Sequence, residues 1–225
     1  TKLFRQLIQE TGSGEAAARA LTDTFAVTAQ RVALVQDILR QQEGIYTWGD
    51  EQSIDIYIGI PFCRTRCLYC SFISVDMSRT RCDIAGYVDA LCREIEWGGQ
   101  LVQQMGRAVR AVYVGGGTPS AIGVEPLRRV LSAAMAAFPG AREFTVEAGR
   151  PDTLGGDMLP MLRDMGVGRI SINPQTLCDE TLAAIGRGHT SAQALEAVER
   201  ASALGFAHIN MDLIMGLPGE GLKQA

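Results

Sequence analysis

Cys63, Cys67 and Cys70 crowd into the run Cys63-Arg64-Thr65-Arg66-Cys67-Leu68-Tyr69-Cys70, a C-x₃-C-x₂-C spacing. Three thiolates this close on one stretch of chain can all reach one small inorganic core. Iron–sulfur clusters are held by cysteine thiolates, normally one per iron. Three ligands on a four-iron cubane leave one iron open, and an open coordination position is how a metal centre keeps room for a substrate. Arg64 and Arg66 supply positive charge that favours thiolates and offsets the charge of a cluster. Zinc needs a fourth ligand, which Cys82 or His189 could supply only by folding back. A redox pair of Cys67 and Cys70 leaves Cys63 without a role. Cys82, Cys92 and Cys178 are scattered, and six cysteines in 225 residues are too sparse for a disulfide scaffold.

Other chemically capable residues sit just after short apolar runs. Gly115-Gly116-Gly117-Thr118-Pro119 is a glycine-rich turn, which either lets backbone groups approach a ligand or simply turns the chain. Glu147 ends the run Thr145-Val146-Glu147, and a carboxylate at that depth needs a ligand or an ion-pair partner such as Arg150. Asn173-Pro174-Gln175, Arg187 in Ile185-Gly186-Arg187-Gly188-His189, and Asp212 ahead of Met215-Gly216-Leu217-Pro218 complete the set. Both histidines, His189 and His208, read as structural.

The elements that must carry these residues follow from periodicity. Candidate strands are Ile54–Ile60, Ala111–Val114, Glu143–Glu147, Arg169–Asn173 and His208–Leu213, short and rich in β-branched residues. Helical patterns at Ile84–Gln104, Glu125–Phe138, Asp157–Met165 and Ala192–Leu204 lie between them. Strands spaced by helical crossovers form right-handed βαβ units. The expected fold is therefore α/β, either a partial (β/α) barrel or an open doubly wound sheet. Such folds bind ligands at the carboxyl ends of the strands, where Pro61-Phe62-Cys63, Gly115-Gly116-Gly117-Thr118-Pro119, Glu147, Asn173-Pro174-Gln175 and Asp212 lie. Residues 1–45 read instead as helices. Leu21, Phe25, Val32, Val35 and Leu39 recur at helical steps, Ser13 is a plausible N-cap after Gly12, and Gly44 ends the pattern before a polar linker, Tyr46–Gln52. The expected division is a helical end of an N-terminal domain with its linker over 1–50, then a core over 51–225.

The chain is 47% hydrophobic and 20% charged, ordinary for a globular protein, with a formal net charge of −4. That field does not attract nucleic acid. No apolar run reaches the length of a membrane span and no signal peptide is present, so a cytoplasmic location is expected.

The stretch Tyr57-Ile58-Gly59-Ile60-Pro61-Phe62-Cys63, followed by the triad and Ser71-Phe72, resembles the radical S-adenosylmethionine (radical SAM) superfamily. More narrowly, from about Ile54 to Gly221 it is similar to the oxygen-independent coproporphyrinogen III oxidase (dehydrogenase) family, and its N-terminal helices are similar to the Gram-positive branch with an extra domain. The resemblance implies a partial TIM-like radical SAM barrel and a [4Fe–4S] cluster on Cys63, Cys67 and Cys70. It implies SAM contacts at Gly116, Gly117, Thr118, Glu147, Gln175, Arg187 and Asp212, with Tyr57 beside the methionine and Tyr69 against the adenine. Some members hold a second SAM. The implied reaction begins with one-electron cleavage of SAM to methionine and a 5′-deoxyadenosyl radical. Hydrogen abstraction from propionates of coproporphyrinogen III follows, then loss of carbon dioxide to give the vinyl groups of protoporphyrinogen IX in haem biosynthesis. The partners implied are a tetrapyrrole substrate and an electron donor.

The chain departs from the family in one respect: Gly59 stands where the well-known member has a histidine two residues after the tyrosine, so a proton-donor role at that position falls away. Near relatives include haem chaperones, which form a second expectation. A structural zinc-binding α/β module is a third. Thr1 in the first position, and an end at Ala225 just where a new helix is expected, lead to the expectation of missing sequence on both sides.

Overall fold

The computed structural model describes residues 1–43 and 52–221. The expected helix end at Gly44, nearly all of the polar linker and the helix expected after Gly221 lie outside the described residues. The chain divides into two compact units, Thr1–Glu51 and Gln52–Ala225.

The first unit contains α1 (Lys2–Thr11), α2 (Gly14–Asp23) and α3 (Ala29–Gln41). Gly12, at φ 74°, closes α1 in the left-handed conformation that glycine adopts without strain. The Ser13 hydroxyl then accepts the Ala16 N–H at 3.1 Å and caps α2. Phe4, Leu7, Ala17, Leu21 and Val32 form a small core. Phe25 does not join it, because α2 stops at Asp23 and leaves Phe25 exposed in the turn before α3.

The second unit runs β1 (Ser53–Ile60), β2 (Phe62–Cys63), β3 (Val75–Asp76), α4 (Ile84–Gln104), β4 (Ala108–Gly116), α5 (Val124–Ala137), β5 (Glu143–Gly149), α6 (Met158–Asp164), β6 (Arg169–Ile172), α7 (Asp179–Ala184), α8 (Ser191–Ala203) and β7 (His208–Asn210). Five strands form one parallel sheet in the order β1-β4-β5-β6-β7, so their carboxyl ends share one edge. The separate β2–β3 pair is also parallel. Val112, Val114, Val146, Ile170 and Ile172 are fully buried on the strands. Apolar positions at helical spacing, Val88, Leu91 and Ile95 on α4 and Leu127, Val130, Leu131 and Ala134 on α5, pack against them. Gly99 lets α4 and α5 meet closely, since a Cβ there would stand 2.8 Å from the Ala137 Cβ.

Each strand shifts at one end or both, and two differ most from the sequence reading. β4 is longer than Ala111–Val114, because β1 pairs with it from Ser53 to Ile60 and carries the polar residues around Arg110 into the ladder. β7 is shorter than His208–Leu213: beyond Asn210 only Leu213 pairs, in an isolated bridge with Gln175. The reason lies in the neighbouring chain, where β6 ends at Ile172, Pro174 has no N–H to donate and Gln175 takes φ 72°. His208 is exposed on β7, away from any core role. Among the described residues, no helix is long and apolar enough to cross a membrane.

Candidate functional site

The cysteine loop leaves β1 and is laced back onto the sheet at both ends. Pairing of β2 with β3 closes it, with Val75 N–H donating to the Pro61 carbonyl (2.7 Å) and Met77 N–H to that of Cys63 (2.9 Å). Asp76 receives the Arg66 N–H and the Ser78 hydroxyl, and the Ser78 bond is the main influence holding its carboxyl below the usual range. The glycine turn after β4 docks on the same loop: Gly117 N–H donates to Ile60 (2.9 Å), Thr118 N–H to Phe62 (2.7 Å), and the Thr118 hydroxyl lies 3.6 Å from Cys63 Sγ. A Cβ at Gly117 would stand 2.6 Å from the Phe62 carbonyl oxygen and 3.0 Å from Cys63 Sγ, so only glycine permits this approach. From the far side, Leu68 N–H donates to Ile185 (3.0 Å), and the Arg187 guanidinium bridges the Asn173 carbonyl (2.8 Å) and the Tyr69 hydroxyl (3.2 Å). Burial raises the Tyr69 phenol, with Arg187 pulling the other way.

These strand ends enclose a cavity of about 300 Å³. Its wall includes Cys63, Cys67 and Cys70 with Tyr69, then Gly116, Gly117 and Thr118, then Glu147, Gln175, Arg187 and Asp212. The structure therefore brings together the triad and every SAM contact that the resemblance implied except Tyr57, which stacks on Tyr113 at 5.9 Å and 13° outside the cavity lining. Glu147 does not pair with Arg150. It accepts the Tyr113 hydroxyl at 2.6 Å, and burial, then this bond, raises the phenol strongly, so Tyr113 remains the donor. Gly115 leaves room for the pair: a Cβ there would meet Tyr113 at 2.8 Å and Glu147 Oε2 at 2.9 Å. Thr65, Arg66, Phe72, Ser74, Gly149, Arg150 and Asn173 also line the cavity. Sequence reasoning gave Arg66 a charge role beside the thiols and named Asn173 in a strand-end run, but assigned the other five to no site. Proximity to the triad is a signal for four of them, whereas Gly149, Arg150 and Asn173 only follow strand ends. A larger cleft, about 700 Å³, opens beside the first residues of β4, between α4 and the end of α5, at the opposite end of that strand from the thiols.

The description of the radical SAM superfamily matches residues 57–225. The chain belongs to the radical SAM superfamily. This radical SAM chain is 37% identical over 231 residues to the oxygen-independent coproporphyrinogen-III oxidase-like protein HemZ of Bacillus subtilis, covering 100% of this chain and 46% of HemZ. It is 37% identical over 169 residues to the heme chaperone HemW of Lactococcus lactis, covering 74% of this chain and 42% of HemW. Among solved structures, coproporphyrinogen III oxidase HemN from Escherichia coli superposes with a TM-score of 0.69 at 27% identity, covering 84% of this chain and 42% of HemN. The parallel sheet is thus part of a TIM-like radical SAM barrel. The chain spans less than half the length of each of these relatives.

Radical SAM proteins use a [4Fe–4S] cluster and S-adenosylmethionine. The residues present fit that cofactor pair. All three cysteines of the triad are free thiols on the wall of one cavity. Among the described residues, no three Cys, His, Asp or Glu side chains gather around a point that a single metal ion could occupy, as a zinc site requires. A cubane takes each thiolate on a different iron and so accepts more widely set ligands. The glycine turn lies against Cys63 where a side chain would intrude.

Proposed function

We propose that this chain is the cluster- and SAM-binding portion of an enzyme that oxidatively decarboxylates the propionates of coproporphyrinogen III. The observation that carries the reading is the convergence on one cavity of three thiols, a glycine turn held against Cys63, and the polar set Glu147, Gln175, Arg187 and Asp212. Cys63, Cys67 and Cys70 hold the cluster. Backbone groups of Gly116 and Gly117, with Thr118, receive the SAM amino group, and Glu147 faces that amine or the ribose. Arg187, steadied by Asn173 and Tyr69, meets a carboxylate as a guanidinium fork does. Gln175 and Asp212 complete the polar wall, with Tyr69 against the adenine and Tyr57 nearby.

A bound cluster and SAM, given an electron from an external donor, would supply one-electron chemistry at the substrate. The chain's own contribution is to orient both cofactors and to keep water from the reacting carbon. Leu68, Phe72 and Ile73 stand 80%, 64% and 95% exposed on the cysteine loop, an apolar rim suited to a tetrapyrrole face.

A second reading, a haem chaperone without oxidase activity, is favoured by Gly59, which leaves no ionisable group at the position of the family histidine. Anaerobic reconstitution of the full-length protein, then incubation with SAM, reductant and coproporphyrinogen III, separates the two. Protoporphyrinogen IX together with 5′-deoxyadenosine supports the oxidase. Stoichiometric haem binding without decarboxylation supports the chaperone. Absence of iron, sulfide and SAM binding would sink both.

A further inference from the structure

Arg150 is 3% exposed, an expensive place for a charge unless it is paired and fully hydrogen-bonded. It is both. Nε and one Nη donate to the two carboxylate oxygens of Asp152 at 2.9 and 3.0 Å. The other Nη donates to the Thr65 hydroxyl at 2.7 Å and the Thr65 carbonyl at 3.1 Å. Thr65 lies between Cys63 and Cys67, so a side chain at the end of β5 grips the cysteine loop from 85 residues away. Asp152 draws in the loop a second time, its carbonyl accepting from Arg64 at 2.8 Å. Arg150 lines the cavity whose wall also holds the three thiols, and Asp152 does not. Next to them His189 is buried, and neither ring nitrogen has a partner at good hydrogen-bond geometry. Its pKa is pushed down to about 4, first by burial and then by Arg187; Asp152 opposes this, Arg150 adds to it, and the Pro174 carbonyl weakly opposes.

We propose that Arg150 is a positioning residue for the cluster: through Thr65 it sets the placement of Cys63 and Cys67, and its buried positive charge stabilises the reduced, more negative cluster. The inference rests on the reading that the three thiolates hold a [4Fe–4S] cluster. A guanidinium in a poorly screened site favours the state with the extra electron and so raises the reduction potential. Its fork geometry on Asp152 is one that a lysine cannot copy.

The test uses the full-length, anaerobically reconstituted protein and its Arg150→Met, Arg150→Lys, Asp152→Asn and Cys67→Ala variants. Readouts are iron and sulfide per chain, the cluster midpoint potential, and the rate of iron release to a chelator. Arg150→Met should move the potential negative and speed iron release about 10-fold, the scale of losing an outer-shell partner of a metal ligand. Arg150→Lys should keep the potential near wild type while release still quickens. Asp152→Asn, which removes the opposing charge, should move the potential positive. Absence of a cluster in the wild type, or its survival in Cys67→Ala, overturns the underlying reading and this proposal with it. A loaded wild type whose potential and release rate are unchanged in Arg150→Met overturns the proposal alone. If Arg150→Met does not fold, an Asp152→Asn potential that fails to rise, together with unchanged release from Arg150→Lys, overturns it equally.

Discussion

Tyr113 and Glu147 show how a site residue is held by one that no motif contains. Strand register places Tyr113 opposite Tyr57, and its hydroxyl fixes the carboxylate on the cavity wall. Replacing Tyr113 with Phe should therefore weaken SAM binding by about 10-fold, roughly the 1.4 kcal/mol of one hydrogen bond to a charged group. Equilibrium binding to the cluster-loaded protein reads this, and in a Glu147→Gln background the same change should cost much less. Gly117 makes a sharper prediction, because a Cβ there would press on backbone as well as on the Cys63 sulfur. Gly117→Ala should lower stability by about 1–3 kcal/mol, the range for overpacking, and reduce iron per chain, read by denaturation and metal analysis. The triad and the glycine turn were legible in sequence because each is a local pattern. Tyr113, Arg150 and the buried state of His189 were not, since each takes its role from contacts with residues distant in the chain.

Elements were legible where periodicity was long. The pattern over Ile84–Gln104 matches α4 residue for residue, and the expected strands all appear in one parallel sheet. The β2–β3 pair was invisible because two residues a side carry no alternation to read, yet this ladder is what closes the cysteine loop. The end of β7 was misread because Met211 to Leu213 look like strand, whereas hydrogen bonding depends on the neighbour, and there Pro174 and the left-handed Gln175 interrupt it. At the start of α8, Thr190 and Gln193 form a reciprocal cap, with the Thr190 hydroxyl accepting the Gln193 N–H and the Gln193 side chain accepting the Thr190 N–H. Thr190→Ala should cost about 1 kcal/mol of stability, measured as a lower urea midpoint with an unchanged slope.

At the scale of the molecule, acid stability follows from His189. The folded state keeps the ring neutral down to about pH 4, whereas the unfolded chain takes up the proton near its ordinary value of 6.5. Between those values the unfolded state binds more protons, so stability is full above pH 6.5 and is lost as pH falls toward 4. The lowered carboxyls of Asp55, Asp76 and Asp179 extend the loss below 3.8. Urea midpoints measured across pH 4 to 7 should show this slope, and a His189→Gln variant should flatten it. The anchors of the cysteine loop add a consequence of another kind. Thr65 is held by Arg150 and Gly186, and Leu68 by Ile185, all supplied by chain that leaves the ribosome well after the thiols do. A nascent protein halted near residue 140 would carry all three sulfurs and none of these holds. The full set of holds on the cysteine loop is thus completed only once the chain beyond β5 is in place.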